Sequence, residues 1–198
     1  MREVIRKTLN FLVRRAIKLN MAHTLKRYNR TNPPYEDVFD WREKGDFIFG
    51  KGKNITVYGS TSISGDVKVG PNTWIGPFVC LDGSGGLVIG ANCSISTAVQ
   101  VLTHDSVDWA LSGGQAAYAK APVNIGDNCF IGTGAVILKG VTIGEQSVVG
   151  ANTVVNKSLP ARSIAAGNPM KVIGEISVNE NGVITKHFFH KKSDLTDN

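Results

Sequence analysis

An aliphatic residue recurs at every sixth position along most of this chain, and no other feature constrains its fold as strongly. The recurring positions are Val57, Ile63, Val69, Ile75, Leu81, Ile89, Ile95, Val101, Ile125, Ile131, Ile137, Ile143, Val149 and Val155. A small or aliphatic residue precedes many of them by two positions, and a glycine often follows. Two inward side chains separated by one outward residue make a short half-buried strand, and the glycine permits a tight corner. Because a helix would need a period of 3.6, the sequence predicts an all-β coil of stacked strands.

A more specific pattern lies in residues 123–173, which read VNIGDNCFIGTGAVILKGVTIGEQSVVGANTVVNKSLPARSIAAGNPMKVI. This stretch resembles the hexapeptide-repeat acyltransferases, and its closing GNP-x-x-VI motif points to the branch of maltose, galactoside and xenobiotic acetyltransferases. The resemblance extends over residues 55–175. It implies a left-handed parallel β-helix assembled as a homotrimer, with acetyl-CoA as co-substrate and neither a permanently bound cofactor nor a metal. The handedness comes from the resemblance alone.

The six-residue count stops at His104, in the stretch VLTHDSVDW, and residues 105–121 follow neither period. A segment that long inside a compact repeat favours an extended active-site loop. The family resemblance implies that His104 is the catalytic base. An imidazole, whose unperturbed pKa is about 6.5, suits removal of a hydroxyl proton near neutral pH. Asp82, Asp105 and Asp108 either orient the imidazole, bind sugar hydroxyls, or are solvated loop acids.

The resemblance also implies a seat for the acetyl-CoA donor in a groove between subunits. Its residues are Phe130 in place of a common tryptophan, the small Thr133 and Ala151, Asn156 and Lys157 in place of a T-K pair, and Lys171 in place of an arginine. Gly174 stands where a second basic residue is usual. Lys157, Arg162 and Lys171 form a basic cluster suited to nucleotide phosphates, although Arg162 fits a solvated surface equally well.

The acceptor is less defined, because Gly76 and Ser84 replace the family's acceptor-binding asparagine and aspartate. Galactoside or maltose therefore cannot simply be carried over as the substrate. Acids and aromatic faces bind sugars, and the candidates for acceptor binding are Trp74, Asp82, Asp105, Trp109 and Tyr118, with ordinary packing as the alternative for the aromatic residues. We expect an acetyltransferase acting on a hydroxyl of a sugar or a surface-polysaccharide precursor.

Other functions compete with this prediction. An amino-sugar or a nucleotide-linked amino-sugar is the alternative acceptor, and a non-catalytic β-helix scaffold is the alternative of another class. The γ-type carbonic anhydrases bind zinc on the same coil, but His23, His187 and His190 lie in the flanks and have no spacing suited to one metal. The basic N-terminus is accompanied by no recognition module, so specific nucleic-acid binding is not expected.

The N-terminus holds most of the positive charge: residues 1–30 contain nine Lys or Arg and the single acid Glu3, in a chain of net charge +6. Its opening, MREVIRKTLNFLVRRAIKLN, predicts a basic amphipathic helix that either lies on an anionic membrane surface or packs on the trimer. We expect residues 1–54 to form this helix and a connector, residues 55–175 the acyltransferase β-helix with loop 105–121, and residues 176–198 a hairpin and a polar tail.

Two observations predict a cytoplasmic protein, at most peripheral at the inner face of the membrane. The apolar run FLV is cut off by Arg14 and Arg15, far short of the roughly 7 to 15 residues of a secretory signal. The cysteines, Cys80, Cys93 and Cys129, have no paired spacing, which suits a reducing compartment.

Overall fold

The computed structural model describes residues 2–29, 31, 36 and 40–189. Part of the predicted connector (residues 30, 32–35 and 37–39) and the predicted polar tail from His190 onward lie outside these residues. Two helices precede the coils, α1 (Arg2–Tyr28) and α2 (Trp41–Phe49). The predicted N-terminal helix is therefore confirmed, and it continues eight residues past the quoted opening. In the described part of the chain, no helix has both the length and the apolar character needed to cross a membrane.

Short parallel strands stack into a three-faced coil. The first face holds β1 (Thr56–Val57), β3 (Trp74–Ile75), β5 (Ser94–Ile95), β10 (Phe130–Ile131), β13 (Val148–Val149) and β15 (Ser163–Ala166). The second holds the first half of β2 (Ser62–Val69) and of β4 (Cys80–Ile89), then β6 (Gln100–Val101), β11 (Val136–Ile137) and β14 (Val154–Val155). The third holds the second halves of β2 and β4, then β9 (Val123–Ile125) and β12 (Thr142–Ile143).

The repeated aliphatic residues form the core, because the parallel register places each one over its counterpart in the next coil. On the first face Ile75 pairs with Ile95, Ile95 with Ile131, and Ile131 with Val149. All four are fully buried. Side chains stacked in this way fill the narrow interior along its whole length, so the six-residue period is a packing requirement. The predicted parallel β-helix is confirmed.

Corners between faces use backbone conformations that few residues adopt. At the corner between the third and first faces, Asn72, Asn92 and Asn128 have φ values of 59°, 54° and 59°. Asparagine tolerates this left-handed region better than most residues that carry a Cβ. The same corner geometry is thus repeated from coil to coil.

The segment after His104 is ordered and leaves the coil as a small unit. Strands β7 (His104–Asp105) and β8 (Ala119–Lys120) pair antiparallel at its base, and the helix α3 (Val107–Leu111) lies between them. The N–H of Ala121 donates to the carbonyl of Thr103 at 3.0 Å, so the two ends of the segment are held together. The chain then resumes the coil at β9.

The predicted C-terminal hairpin is present, but it begins earlier than expected. Strand β16 (Lys171–Val178) pairs antiparallel with β15 and with β17 (Ile184–Phe188), around the turn at residues 179–183. It therefore crosses the boundary expected at residue 175. The reason is that β16 continues the first-face sheet directly from the last coil, so the repeat and the hairpin share one ladder.

Candidate active site

His104 lies at the corner between the second and third faces, and the corner of the preceding coil lies against it. There β4 continues without a break from the second face to the third, through Asp82 and Ser84. Leu81 pairs with Val101, which brings the residues that follow each of them to the same edge of the coil. Two irregular stretches of sequence, LDGSGG and LTHD, are therefore neighbours in space.

The imidazole is held by a buried carboxylate. Its Nδ1 lies 2.7 Å from Oδ2 of Asp82 and 2.9 Å from the hydroxyl oxygen of Ser84. An ionised carboxylate only accepts hydrogen bonds, so Nδ1 carries the proton in the pair with Asp82. The other ring nitrogen, Nε2, then has its lone pair available. The His104 side chain is 36% exposed and that of Asp82 only 8%, so the ring is accessible while its anchor is not.

Asp82 is fixed by a dense set of donors. The N–H of Ser84 donates to Oδ1 at 3.0 Å, and the N–H of Thr103 donates to Oδ2 at 2.9 Å. The fully buried Thr103 hydroxyl lies 2.9 Å from the Asp82 carbonyl and accepts the N–H of Gly85 at 2.8 Å. Burial alone would raise the pKa of the Asp82 carboxyl. That pKa is nevertheless held well below its usual range by hydrogen bonds from the backbone N–H groups of Ser84 and Thr103, from His104 and from the Ser84 hydroxyl. Asp82 is thus a permanent anion beside the ring.

Aromatic side chains of the loop lie on one side of the imidazole. The Tyr118 ring lies parallel to the His104 ring, with centroids 5.9 Å apart and an interplanar angle of 6°. Trp109 meets Tyr118 edge-on at 5.8 Å. Asp105 pairs with Lys139 of the next coil, with Oδ2 and Nζ 2.9 Å apart, and this hydrogen bond is the main cause that lowers the pKa of the Asp105 carboxyl. The base of the loop is therefore tied to the next coil immediately after the histidine.

Four of the six residues expected to hold the donor lie at two edges of the second face. Thr133 and Ala151 occupy equivalent places at the corner between the first and second faces, in successive coils, and both are exposed. Neighbouring coils are very close here, because a Cβ on Gly132 would lie 2.6 Å from the backbone nitrogen of Ala151. The exposed Asn156 and Lys157 lie at the opposite corner, the same edge as His104.

Phe130 and Lys171 lie apart from these four residues. Phe130 is on the first face, 45% exposed. It contributes to a groove of about 400 Å³ between that face and the C-terminal hairpin, and the groove is lined by Asn128, Phe130, Gln146, Val148, Ile176, Val178, Gly182, Ile184 and Lys186. Lys171 begins β16 and is exposed. The structure thus distributes the expected donor residues over two faces of a single chain.

Two sequence expectations are changed by the structure. Trp74 lies on the first face, where it packs edge-on against Tyr58 at 5.5 Å, and Tyr58 stacks on Trp41 at 4.8 Å. It belongs to this aromatic cluster and is not brought together with His104 in one chain. Arg162 lies at the corner between the third and first faces and donates to Gln146 at 2.8 Å, so it does not cluster with Lys157.

Three residues of the site carried no assigned role in the sequence analysis: Ser84, Thr103 and Lys139. All three stand at the corner that carries His104. Ser84 lies one coil before His104, Thr103 immediately precedes it, and Lys139 lies one coil after it. Counting coils past the LDGSGG irregularity could have found them. Among the described residues, no three His, Cys, Asp or Glu side chains converge as a metal site would require.

Comparison with known proteins identifies the family. A family model of the hexapeptide repeat of succinyl-transferase matches residues 122–157. The chain is 34% identical over 146 residues to WcaF of Escherichia coli K12, which is named as a colanic acid biosynthesis acetyltransferase, and the match covers 70% of this chain and 76% of WcaF. The chain belongs to the hexapeptide-repeat acetyltransferase family.

A further relative and a solved structure agree with the assignment of this chain to the hexapeptide-repeat acetyltransferases. Galactoside O-acetyltransferase of Escherichia coli K12 is 31% identical over 143 residues, which cover 62% of this chain and 68% of that enzyme. The crystal structure of a mutant of AntD, an N-acyltransferase from Bacillus cereus in complex with dTDP and coenzyme A, superimposes with a TM-score of 0.56 and 26% identity, covering 61% of this chain and 69% of AntD. The chain is thus an acyltransferase.

Proposed function

We propose that this hexapeptide-repeat acetyltransferase moves an acetyl group from acetyl-CoA to a hydroxyl of a sugar or a surface-polysaccharide precursor, with His104 as general base. The observation that carries the proposal is the pair formed by His104 and the buried Asp82. A carboxylate on Nδ1 fixes the tautomer that leaves Nε2 able to accept a proton. The exposed edge of the ring is then the side on which an acceptor can approach.

The reaction follows from this geometry. Nε2 removes the acceptor proton while the acceptor oxygen attacks the thioester carbonyl of acetyl-CoA, which gives a tetrahedral intermediate. The C–S bond then breaks, and the imidazolium returns its proton to the leaving thiolate. Asp82 stays ionised throughout and stabilises the imidazolium, because its backbone donors keep its pKa low. No covalent acyl-enzyme is needed.

We propose that the loop forms the acceptor side of the site. Tyr118 lies against the imidazole, Trp109 lies against Tyr118, and both rings are more than 40% exposed. Such faces suit the apolar sides of a sugar ring. Asp105 is paired with Lys139 through Oδ2 and accepts the N–H of Val107 at Oδ1, so its role is to hold the base of the loop.

A homotrimer is part of the proposal, because the residues proposed to bind the donor are spread over two faces of one chain. His104 and Lys157 lie along one edge of the coil, while Phe130 lies on the first face. A second chain against the open side of this edge would complete the walls of a pantetheine groove. Acetyl-CoA as donor implies an enzyme that acts in the cytoplasm. AntD, in its complex with dTDP and coenzyme A, makes an amine of a nucleotide-linked amino-sugar the second candidate acceptor.

The test is CoA release from acetyl-CoA, measured with a thiol reagent across sugars, nucleotide-sugars, amino-sugars and membrane extracts. Wild type and His104→Ala are assayed side by side. We expect acceptor-dependent release that is lost in the variant, and the acceptors that respond distinguish a hydroxyl from an amine. No release with any acceptor, together with no binding of acetyl-CoA, would favour the scaffold hypothesis instead.

A further inference from the structure

The first five turns of α1 present an apolar stripe that the fold leaves open. Ile5, Leu9, Leu12, Ala16 and Leu19 follow the spacing that places residues on one side of a helix. The four large side chains among them are between 55% and 64% exposed. A stripe from residue 5 to residue 19 is about 20 Å long at 1.5 Å per residue. A contiguous row of exposed apolar side chains on a helix normally marks a surface that binds a partner.

The helix is attached to the rest of the chain by a different side and by its other end. Ile17 and Met21 are half-buried, and Thr24 is buried. The ring of Tyr28 lies 5.5 Å from that of Trp41 in α2. These four positions also repeat at helical spacing, but they are rotated around the axis from the stripe. The body of the protein therefore uses one side of α1 and leaves the stripe exposed.

The charge on the remainder of α1 indicates what covers the stripe. Between residues 3 and 28 the helix has seven cationic side chains: Arg6, Lys7, Arg14, Arg15, Lys18, Lys26 and Arg27. The single acid, Glu3, is paired with Lys7 at 3.4 Å. Packing stripes from several copies together would gather these cations around one bundle, at an electrostatic cost. An anionic lipid surface instead accepts the apolar stripe and attracts the net positive charge of the helix.

We propose that α1 is a membrane-surface anchor: it lies in the plane of an anionic bilayer with the stripe inserted at the level of the headgroups. The cations interrupt the apolar sequence too often for a span, in agreement with the absence of a spanning helix from the described part of the chain. The proposal is independent of the reaction at His104. It assigns to the N-terminal helix a location beside the membrane, where lipid-linked acceptors are found.

The test uses the full-length chain and sedimentation with vesicles of phosphatidylcholine alone or mixed with phosphatidylglycerol. We expect binding to the mixed vesicles only, weakened by high salt. Leu9→Ser with Leu12→Ser should reduce binding at least about tenfold. The matched control is Val4→Ser with Phe11→Ser: these side chains are as exposed, but they lie on the other side of the helix, and binding should change by less than about twofold.

Three outcomes would overturn the proposal. The first is an absence of binding to phosphatidylglycerol vesicles at low salt. The second is an equal loss of binding in the two double variants, which would mean that the stripe has no special part in it. The third is a lower molecular mass of Leu9→Ser with Leu12→Ser in vesicle-free solution, because the stripe would then cover a second copy of the chain. Circular dichroism of each variant checks that the β-helix and α1 are retained.

Discussion

The corner between the third and first faces and the corner between the second and third faces differ in how they are built. The former repeats one solution, in which Asn72, Asn92 and Asn128 all have a positive φ, and the Asn54 amide donates to Asn72 at 2.8 Å. The latter changes with every coil: a bulge at Gly65, the buried Asp82, the loop at His104, and then Lys139 and Asn156. A repeated corner maintains the fold, and a varied corner is where residues can be placed for chemistry.

The largest expected effect lies at the varied corner. His104→Ala should lower kcat by about 10²- to 10⁴-fold, the usual contribution of a positioned general base. Its melting temperature should stay close to that of the wild type, since the His104 side chain is partly exposed. Steady-state kinetics and a thermal melt on the same preparation measure both. Near-normal turnover in a folded variant would remove His104 from the mechanism.

Asp82→Asn should show that the carboxylate positions the ring. An amide can donate to Nδ1 and select the wrong tautomer, so we expect a loss of about 10²-fold in kcat with little change in KM. The matched control is Ser84→Ala, which removes the other contact of Nδ1 and leaves the carboxylate in place. Its turnover should change by less than about threefold. Equal losses in the two variants would contradict a special role for the carboxylate.

The cations proposed to bind the donor give a smaller effect. Lys157→Ala combined with Lys171→Ala should raise the KM for acetyl-CoA about tenfold, since each exposed cation contributes modestly to binding phosphates. The KM for the acceptor should change less. Arg162→Ala is the control, because Arg162 lies at the other corner and is engaged with Gln146. A larger change in the KM of the acceptor would count against the donor assignment.

At the repeated corner, a substitution should alter stability and leave catalysis intact. Asn92→Ala places a residue poorly suited to positive φ at 54°, and we expect unfolding to become easier by about 1 kcal/mol with kcat unchanged. Asn92→Gly relieves the same strain and should be close to neutral. Denaturant titrations of both variants provide the comparison. If Asn92→Ala lost turnover under conditions in which the variant is fully folded, the two corners would not be separate in function.

The smallest effect concerns acid stability. The pKa of Asp82 is lower in the native chain than the value of about 3.9 in an unfolded one, so the native state binds fewer protons. The stability due to this group is therefore fully present above about pH 4 and is lost as the pH falls toward the native pKa. Asp82→Asn, which has nothing to titrate there, should lose melting temperature less steeply than the wild type below pH 4. An equally steep fall in the melting temperature of the two proteins below pH 4 would contradict this role of Asp82.

The β-helix could be predicted from the sequence because the six-residue period decides which side chains point inward, and Ile75, Ile95 and Ile131 are buried as that period requires. The period says less about the outward residues. Which of them meet at a corner depends on the phase of each coil, and the additional residues around Asp82 and the loop after His104 shift that phase. Trp74 was a candidate for acceptor binding because of its residue type, and it lies on the first face, away from His104 of the same chain.

Within the site, His104 and Asp82 were identifiable as a candidate base and a candidate partner, but the bond between them was not. Counting coils could have placed Thr103 and Ser84 at this corner, but the hydrogen bonds that their backbone N–H groups donate to Asp82 could not be read from the sequence. The helix and ladder of the loop were also not apparent, since α3 is only five residues long and β7 and β8 are two residues each.

The hydrogen bond that joins Ala121 to Thr103 makes the loop a closed insert whose entrance and exit coincide. Its length and composition can therefore change without altering the register of the coils above and below it. The core is constrained by stacking on both sides, whereas the insert is constrained only at its base. Selection for a new acceptor can act on the residues between Asp105 and Ala119 while the imidazole and its buried carboxylate remain in place. We expect a segment grafted between Asp105 and Ala119 to change acceptor specificity without redesign of the coil.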